Sequence, residues 1–97
     1  MIESFGDQLA EDLFDDKRTS ATRHFPPELR RVTRRKLLYL YDAADLVDLR
    51  SPPGNRLEAL KGDWKGYHSI RINDQRRVVF QSESCAVHDV RVIDYHH

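Results

Sequence analysis

The side chains best suited to chemistry in this 97-residue chain are cationic, and they are concentrated in its middle. Residues 23–77 contain thirteen Lys or Arg against seven Asp or Glu, a net charge of +6. Residues 1–16 contain six Asp or Glu and no Lys or Arg, so the overall net charge of zero hides this asymmetry. A basic body predicts a polyanionic partner; a solvated, charged helix surface is the alternative explanation.

Metal and thiol chemistry find little support in the sequence. No Cys or His cluster has the spacing of a zinc site, and no dense group of carboxylates suits magnesium. We therefore predict no metal site and no cofactor. The single cysteine, Cys85, excludes an internal disulfide and is typical of a reducing compartment.

Length and composition favour one small domain over residues 1–97. Hydrophobic residues make up 39% of the chain and charged residues 33%, which is typical of a polar-surfaced protein. No apolar run approaches the ~20 residues of a membrane span. The first residues, M-I-E-S-F-G-D-Q-L-A-E-D-L-F, lack the basic and apolar regions of a signal peptide. We expect a cytoplasmic protein.

Periodicity predicts an α+β fold in the order strand, helix, helix and antiparallel meander, with the helices packed on one face of the sheet. The apolar spacing in the first helix marks Leu9, Leu13 and Phe14 as core. The stripe of the second helix comprises Leu29, Val32, Leu37, Leu40, Tyr41 and Ala44. The predicted segments are an edge or joining strand at Met1–Phe5, helices at Gln8–Asp16 and Glu28–Ala44, a loop at Lys17–His24, and strands at Arg56–Leu60, Tyr67–Ile72, Arg76–Gln81 and Ala86–Tyr95.

Alternation along the predicted strands divides their basic residues between two faces. Ile70 and Ile72 share one face of their strand, and Arg71 lies on the other. On the next strand Arg76 shares a face with the apolar residues, whereas Arg77 is on the opposite face. If the helices cover one face, the other can gather arginines from neighbouring strands.

The stretch from Asn55 to Arg77 carries a resemblance to a known family. It reads N-R-L-E-A-L-K-G-D at 55–63, followed by Gly66, S-I-R-I-N-D-Q at 69–75 and then Arg77; the chain closes with D-Y-H at 94–96. With these residues the chain resembles the HigB branch of the RelE/ParE toxin superfamily. The resemblance implies a RelE-like βααβββ fold and a toxin–antitoxin pair. It also implies cleavage of messenger RNA on the ribosome.

The resemblance implies functional positions at Lys61, Arg77 and the closing D-Y-H, with Arg71 and Asn73 in the same family block; Arg34 and Arg35 come from the basic stretch of the second helix. RNA can be cleaved by its own 2′-hydroxyl without a metal if the protein moves protons and stabilises charge on the phosphate. Arg77 is the candidate for phosphate stabilisation, with Lys61 as a second positive charge. The candidate catalytic residues are Glu58, Lys61, Arg77, Asp94, Tyr95 and His96. The candidate RNA-binding residues are Arg34, Arg35, Lys65, Arg71, Asn73 and Arg76.

The catalytic base is open between two residues. Some HigB proteins have a histidine where this chain has Glu58, and an unperturbed glutamate is a weaker base, with a pKa of about 4.3. Either Glu58 is the base, or it pairs with an arginine and His96 is the base. Trp64 is similarly open, since an aromatic flanked by lysines stacks on RNA in some proteins and caps a core in others.

Three functions remain in competition at this point. The first is a ribosome-dependent endoribonuclease toxin silenced by a small antitoxin. The second is a gyrase-poisoning toxin of the ParE branch. The third is a catalytically weak relative that only binds RNA or antitoxin. The resemblance implies a helix-turn-helix, HigA-like antitoxin, contact with the ribosome and messenger RNA, operator DNA reached only through the antitoxin, and no membrane partner.

Overall fold

The computed structural model describes residues 1–94, which form a layer of helices against one four-stranded antiparallel sheet whose strands lie side by side in chain order. No helix in this part of the chain is long and apolar enough to cross a membrane. The predicted α+β arrangement is confirmed. The elements are α1 (Gln8–Phe14), α2 (Ser20–Arg23), α3 (Arg30–Asp42), β1 (Glu58–Ala59), β2 (Tyr67–Arg71), β3 (Arg76–Glu83) and β4 (Ala86–Asp94).

The first residues join the sheet beside β4 and position α1. Ile2 and Phe5 form isolated parallel bridges to β4, so the edge or joining strand predicted at Met1–Phe5 is reduced to two bridges. One carboxylate oxygen of Asp7 accepts a hydrogen bond from the N–H of Ala10 at 2.7 Å and caps α1. The other accepts from the N–H of Val92 at 3.1 Å. Asp7 therefore ties the first helix directly to the last strand.

The helix α3 buries Leu37 and Leu40 against the sheet, but its apolar stripe is shorter than predicted. Pro27–Leu29 forms a single tight turn, and the α-helix begins at Arg30. The assignment of Tyr41 and Ala44 to the core is wrong, since Tyr41 is 51% exposed and Ala44 lies beyond the helix end. Thr33 and Lys36 occupy buried positions on α3 instead.

The predicted loop Lys17–His24 is wrong in part, because it contains the short helix α2. Thr19 and Thr22 form a reciprocal cap in which each hydroxyl accepts a hydrogen bond from the other's backbone N–H. Thr19 also donates to the buried Asp12 at 2.7 Å. The hydrogen bonds from Thr19 and then Gln8 lower the pKa of the Asp12 carboxyl. Capping chemistry, rather than an apolar period, therefore creates this helix.

The strand predicted at Arg56–Leu60 is only two residues long. Glu58 and Ala59 pair with Ser69 and His68 of β2. Arg56 has a left-handed backbone, with φ at 47°, so the chain turns just before the strand instead of extending through it.

The segment that leads into β1 is anchored by a buried polar contact. The Lys36 ammonium donates to the side-chain oxygen of Asn55 at 2.6 Å, and both residues are buried. The Asn55 amide donates to the carbonyls of Leu49 and Ser51 at 3.2 and 3.3 Å. Burial lowers the pKa of Lys36, and the charges of Arg35 and then Arg71 lower it further.

This anchor predicts a large stability effect at Asn55. Asn55→Ala removes three hydrogen bonds and leaves the Lys36 ammonium buried without its acceptor. We expect the free energy of unfolding in urea to fall by about 2–3 kcal/mol. Gln75→Ala, a truncation of an exposed amide, is the matched control and is expected to change stability by less than about 0.5 kcal/mol. Equal effects of the two substitutions would contradict the anchoring role.

Candidate active site

The sheet brings candidate functional residues from three strands to its face opposite the helices. In the observed register Arg71 lies opposite Arg77, and Arg77 lies opposite Ile93. Glu58 lies opposite Ser69. Because residues directly opposite each other point to the same side, Glu58, Arg71 and Arg77 share this face, which we call the open face. The expectation that one face gathers arginines is confirmed.

Arg77 is held firmly on the open face. One terminal nitrogen donates to the Glu58 carboxylate at 2.6 Å, and the other donates to the Arg56 carbonyl at 2.8 Å. The Arg77 side chain is only 14% exposed, whereas the Glu58 side chain is 52% exposed. The Arg77 Nε is buried and has no hydrogen-bond partner among residues 1–94. The ion pair that sequence analysis left as an alternative for Glu58 is therefore present.

Two of the predicted RNA-binding residues, Arg71 and Asn73, stabilise the hairpin between β2 and β3. The Arg71 guanidinium pairs with Asp74 at the tip of the hairpin. The side-chain oxygen of Asn73 accepts hydrogen bonds from the backbone N–H groups of Gln75 and Arg76, at 3.0 and 2.7 Å. Asn73 therefore builds the turn that sets the Arg71–Arg77 register.

Lys61 and Lys65 lie on the exposed turn between β1 and β2, and neither forms an ion pair within residues 1–94. The turn leaves β1 immediately after the Glu58–Ala59 pair, so Lys61 is three residues along the chain from Glu58. Within residues 1–94, no three His, Cys, Asp or Glu side chains lie close enough together to hold a metal ion.

Arg76 and Asp94 lie on the side of the sheet that carries the helices. They are opposite each other in the β3–β4 register and form an ion pair at 3.5 Å. The Arg76 guanidinium also lies 5.6 Å from the centre of the Phe25 ring. The sheet therefore separates this pair from Arg77. Tyr95 and His96 lie outside the described residues.

Arg34 and Arg35 line a groove of about 610 Å³ between α3 and the segment joining α1 to α2. The Nε of Arg34 donates to the Phe14 carbonyl at 3.1 Å, and Arg30 donates to the Thr22 carbonyl at 3.0 Å. None of the groove's arginines pairs with a carboxylate of the described chain. The groove is therefore a second basic surface, built by the helices and not by the open face.

A polar and aromatic cluster on the open face was not identified from the sequence. The Tyr67 hydroxyl donates to Asp89, and Arg91 donates to the same carboxylate at 3.1 and 3.2 Å. The hydrogen bond from Tyr67 lowers the pKa of Asp89 and raises the pKa of Tyr67. Trp64 packs its ring against Tyr67 with the two ring centres 5.0 Å apart. The members of this cluster come from β2, β4 and a turn, so only the sheet register brings them together.

The sequence model of the RelE-like HigB toxins of type II toxin–antitoxin systems matches residues 3–96. The chain belongs to the HigB-like toxin family. Toxin HigB-1 of Vibrio cholerae serotype O1 is 41% identical over 81 residues, which are 84% of this chain and 83% of that protein. An uncharacterised protein of Haemophilus influenzae is 37% identical over 65 residues, which are 67% of this chain and 64% of that protein.

Solved structures of other toxins share the fold of this HigB-like chain. A point mutant of YafQ from E. coli superposes with a TM-score of 0.59 at 20% identity, covering 97% of this chain and 91% of that one. YoeB in the YoeB–YefM toxin–antitoxin complex from Staphylococcus aureus gives a TM-score of 0.55 at 17% identity, with 100% and 99% coverage. The RelE-like fold predicted from the sequence is confirmed.

The Tyr67–Asp89 hydrogen bond predicts a pH-dependent effect of Tyr67→Phe on this HigB-like toxin. The lowered pKa of Asp89 stabilises the fold above pH 3.8, and this contribution disappears as the pH falls through 3.8 toward the folded-state value. The raised pKa of Tyr67 stabilises the fold below pH 10.0 and ceases to do so as the pH rises through its folded-state value.

We therefore expect Tyr67→Phe to lower the free energy of unfolding by about 1 kcal/mol at neutral pH, and by less at both extremes. Urea unfolding from acid to alkaline pH measures the effect. Tyr41→Phe is the matched control, because the exposed Tyr41 lies in the helical layer and its hydroxyl forms no hydrogen bond within residues 1–94. A cost that does not vary with pH would argue against the ionised pair.

Proposed function

We propose that this HigB-like toxin is a ribosome-dependent endoribonuclease that cleaves messenger RNA, with residues 1–97 acting as one toxin domain. RelE-family toxins of this kind cleave messenger RNA. The observation that carries the proposal is the fixed Arg77 guanidinium on the open face, with Arg71 directly opposite it. Glu58 and Lys61 are exposed, which suits a substrate presented by the ribosome.

The proposed reaction uses the RNA's own 2′-oxygen as the nucleophile. That oxygen forms a bond to the adjacent phosphorus while the bond from phosphorus to the 5′-oxygen breaks. The products are a 2′,3′-cyclic phosphate and a 5′-hydroxyl. The 2′ proton passes to a base on the protein, and the leaving 5′-oxygen takes a proton from an acid.

Arg77 is assigned to the phosphate. Its planar group offers several donors and matches two oxygens of the phosphorane, where charge accumulates in the transition state. Its immobilisation supports this role, because a donor that is already oriented needs no reorganisation during the reaction. Lys61, which is exposed and has no ion-pair partner within residues 1–94, is assigned to a second charge on the phosphate.

The base is assigned to Glu58 or His96, and the acid to Tyr95 or His96. Glu58 supports the first choice by its position, since its carboxylate is already 2.6 Å from Arg77. In that case the phosphate takes over the Arg77 donor, and the released carboxylate accepts the 2′ proton. In the other case Glu58 stays on Arg77 as a positioning residue, His96 accepts the 2′ proton, and Tyr95 donates a proton to the 5′-oxygen. Asp94, which is paired with Arg76 on the helical side, takes no proton and is assigned only to orienting these two residues.

RNA contacts are proposed on two surfaces. Arg71, Asn73 and Lys65 are assigned to the substrate strand near the open face. Arg34 and Arg35 are assigned to phosphates of ribosomal RNA, because their groove carries unpaired positive charge. Arg76, which is paired with Asp94 on the helical side, is proposed to reach RNA only at the end of β3 next to the hairpin.

The antitoxin is proposed to be a HigA-like helix-turn-helix protein. Family membership makes the chain one partner of a type II toxin–antitoxin system. We propose that the complex, and not the toxin alone, contacts operator DNA, and that both proteins act in the cytoplasm.

The first test maps new 5′ ends on message translated by purified ribosomes. The wild-type protein is expected to produce them at physiological salt, and Arg77→Ala is expected to reduce the rate by a hundredfold or more, about the loss expected for one transition-state donor. Arg23→Ala, which truncates an exposed arginine of α2, is the matched control and should cut normally. Supercoiling inhibition without new ends would favour a gyrase poison instead. Cutting of a message with 2′-deoxy at the cleaved nucleotide would reject attack by the 2′-oxygen.

A second test decides the base. If Glu58 is the base, Glu58→Gln should abolish the acidic limb of the pH–rate profile and lower kcat, while leaving ribosome binding intact. If His96 is the base, His96→Gln should abolish the acidic limb and lower kcat. Glu58→Gln should then chiefly raise KM, because Arg77 loses one of the two acceptors that restrain it. Identical profiles for both variants and the wild type would remove both residues from proton transfer.

A further inference from the structure

The aromatic ring of Trp64 has no part in the cleavage chemistry above, yet the fold fixes it beside the open face. Trp64 is half-buried on the turn between β1 and β2. Its ring and the Tyr67 ring are nearly perpendicular, with an interplanar angle of 85°. The Arg91 guanidinium lies over one face of the Trp64 ring, 5.9 Å from its centre, so a stacked base would take the other face. Two side chains of the sheet therefore hold the orientation of the indole.

The charge of Arg91 in this cluster is already compensated. Two of its nitrogens contact the Asp89 carboxylate, at 3.1 and 3.2 Å. The backbone N–H of Asp89 donates to the Ser4 hydroxyl at 2.8 Å. Gly6 packs so closely that an added Cβ would lie 2.1 Å from Asp89 and 2.4 Å from Arg91. The cluster is therefore rigid and nearly neutral, which suits an uncharged aromatic ligand better than a phosphate.

The cluster adjoins the Arg77 site. Arg91 lies opposite Val79, and Arg77 lies opposite Ile93, so Arg77 and Arg91 are diagonal neighbours on β3 and β4. Such neighbours on one face have Cα atoms about 7–8 Å apart. A strand whose phosphate rests on Arg77 can therefore extend an adjacent base toward Trp64.

We propose that Trp64, held by Tyr67 and Arg91, is a stacking site for the base of a nucleotide flanking the scissile phosphate. The ligand is the π-face of a nucleobase in single-stranded RNA, with purines favoured over pyrimidines because they offer the larger ring. This inference rests on the proposed function, since it names the neighbour of the cleaved bond. Trp64 acts in positioning and selecting RNA, and Arg77 acts on the phosphate.

Programmed ribosomes with defined codons provide the kinetic test. Loss of one base stack is expected to raise the KM of Trp64→Ala by about tenfold with kcat little changed, whereas Trp64→Phe retains most of the wild-type affinity. The ratio of kcat/KM for a purine over a pyrimidine at the flanking nucleotide should be smaller in Trp64→Ala than in the wild type. Tyr41→Ala removes an exposed aromatic from the helical layer and is the matched control. Thermal unfolding of every variant monitors folding.

A second readout does not depend on cleavage. Trp64 is the sole tryptophan of the chain, so its fluorescence reports directly on the site. A short RNA with 2′-deoxy at the cleaved nucleotide should quench it, and a purine at the flanking position should quench it more. Abasic RNA of the same length should not.

The outcomes separate the two proposals. Wild-type cleavage with an unchanged KM for Trp64→Ala, or with equal losses for the Phe and Ala variants, would overturn the stacking site and leave the endoribonuclease intact. Quenching by RNA without any cleavage would reject the endoribonuclease and would also overturn the assignment of the stacked base to a neighbour of a cleaved bond. Absence of both would reject both.

Discussion

The candidate site depends on one restrained guanidinium. Arg77 is held between the Glu58 carboxylate and the Arg56 carbonyl, and both acceptors belong to the segment that enters the short strand β1. That segment has little sheet pairing of its own. Its position is fixed instead by Asn55, which joins the carbonyls of Leu49 and Ser51 to the buried Lys36 of α3. The helical layer thus determines, through one amide side chain, where the acceptors of Arg77 lie.

Because side chains alternate between the two faces along β3, the adjacent Arg76 and Arg77 lie on opposite sides of the sheet. Arg76 turns toward the helices, where it pairs with Asp94 and lies over Phe25. Arg77 turns to the open face, beside Glu58 and opposite Arg71. A shift of register by one residue would exchange these environments and place the phosphate-binding candidate in the core. The two hydrogen bonds that the Asn73 side chain accepts in the preceding turn oppose that shift, because they fix which residue begins β3.

Sequence reasoning reached the features that follow from local periodicity and from family resemblance. Alternation alone placed Arg71 and Arg77 apart from Ile70, Ile72 and Arg76, and the resemblance to HigB toxins is confirmed. It missed α2, because two threonine caps and not an apolar stripe define that helix. It missed the Tyr67–Asp89–Arg91 cluster because Tyr67 is more than twenty positions from the other two and meets them only through register. Pairing of Glu58 with an arginine remained one of two alternatives, and the arginine was not identified, because a salt bridge across strands has no local signature.

In the proposed reaction, the same carboxylate that immobilises Arg77 also competes with the substrate for it. Glu58 is half exposed while Arg77 is largely covered, so the phosphate reaches the guanidinium from the side that Glu58 occupies. The phosphate replaces one anion on the guanidinium with another, so the largely covered Arg77 is not left as an unpaired charge during the exchange. The Arg56 carbonyl, a neutral acceptor on the backbone, keeps its hydrogen bond during the exchange and holds the guanidinium in place. Substrate binding would thereby free a carboxylate beside the phosphate at the moment when a base is needed. The hydrogen bond to the Arg56 carbonyl thus keeps the guanidinium oriented while the Glu58 carboxylate is released.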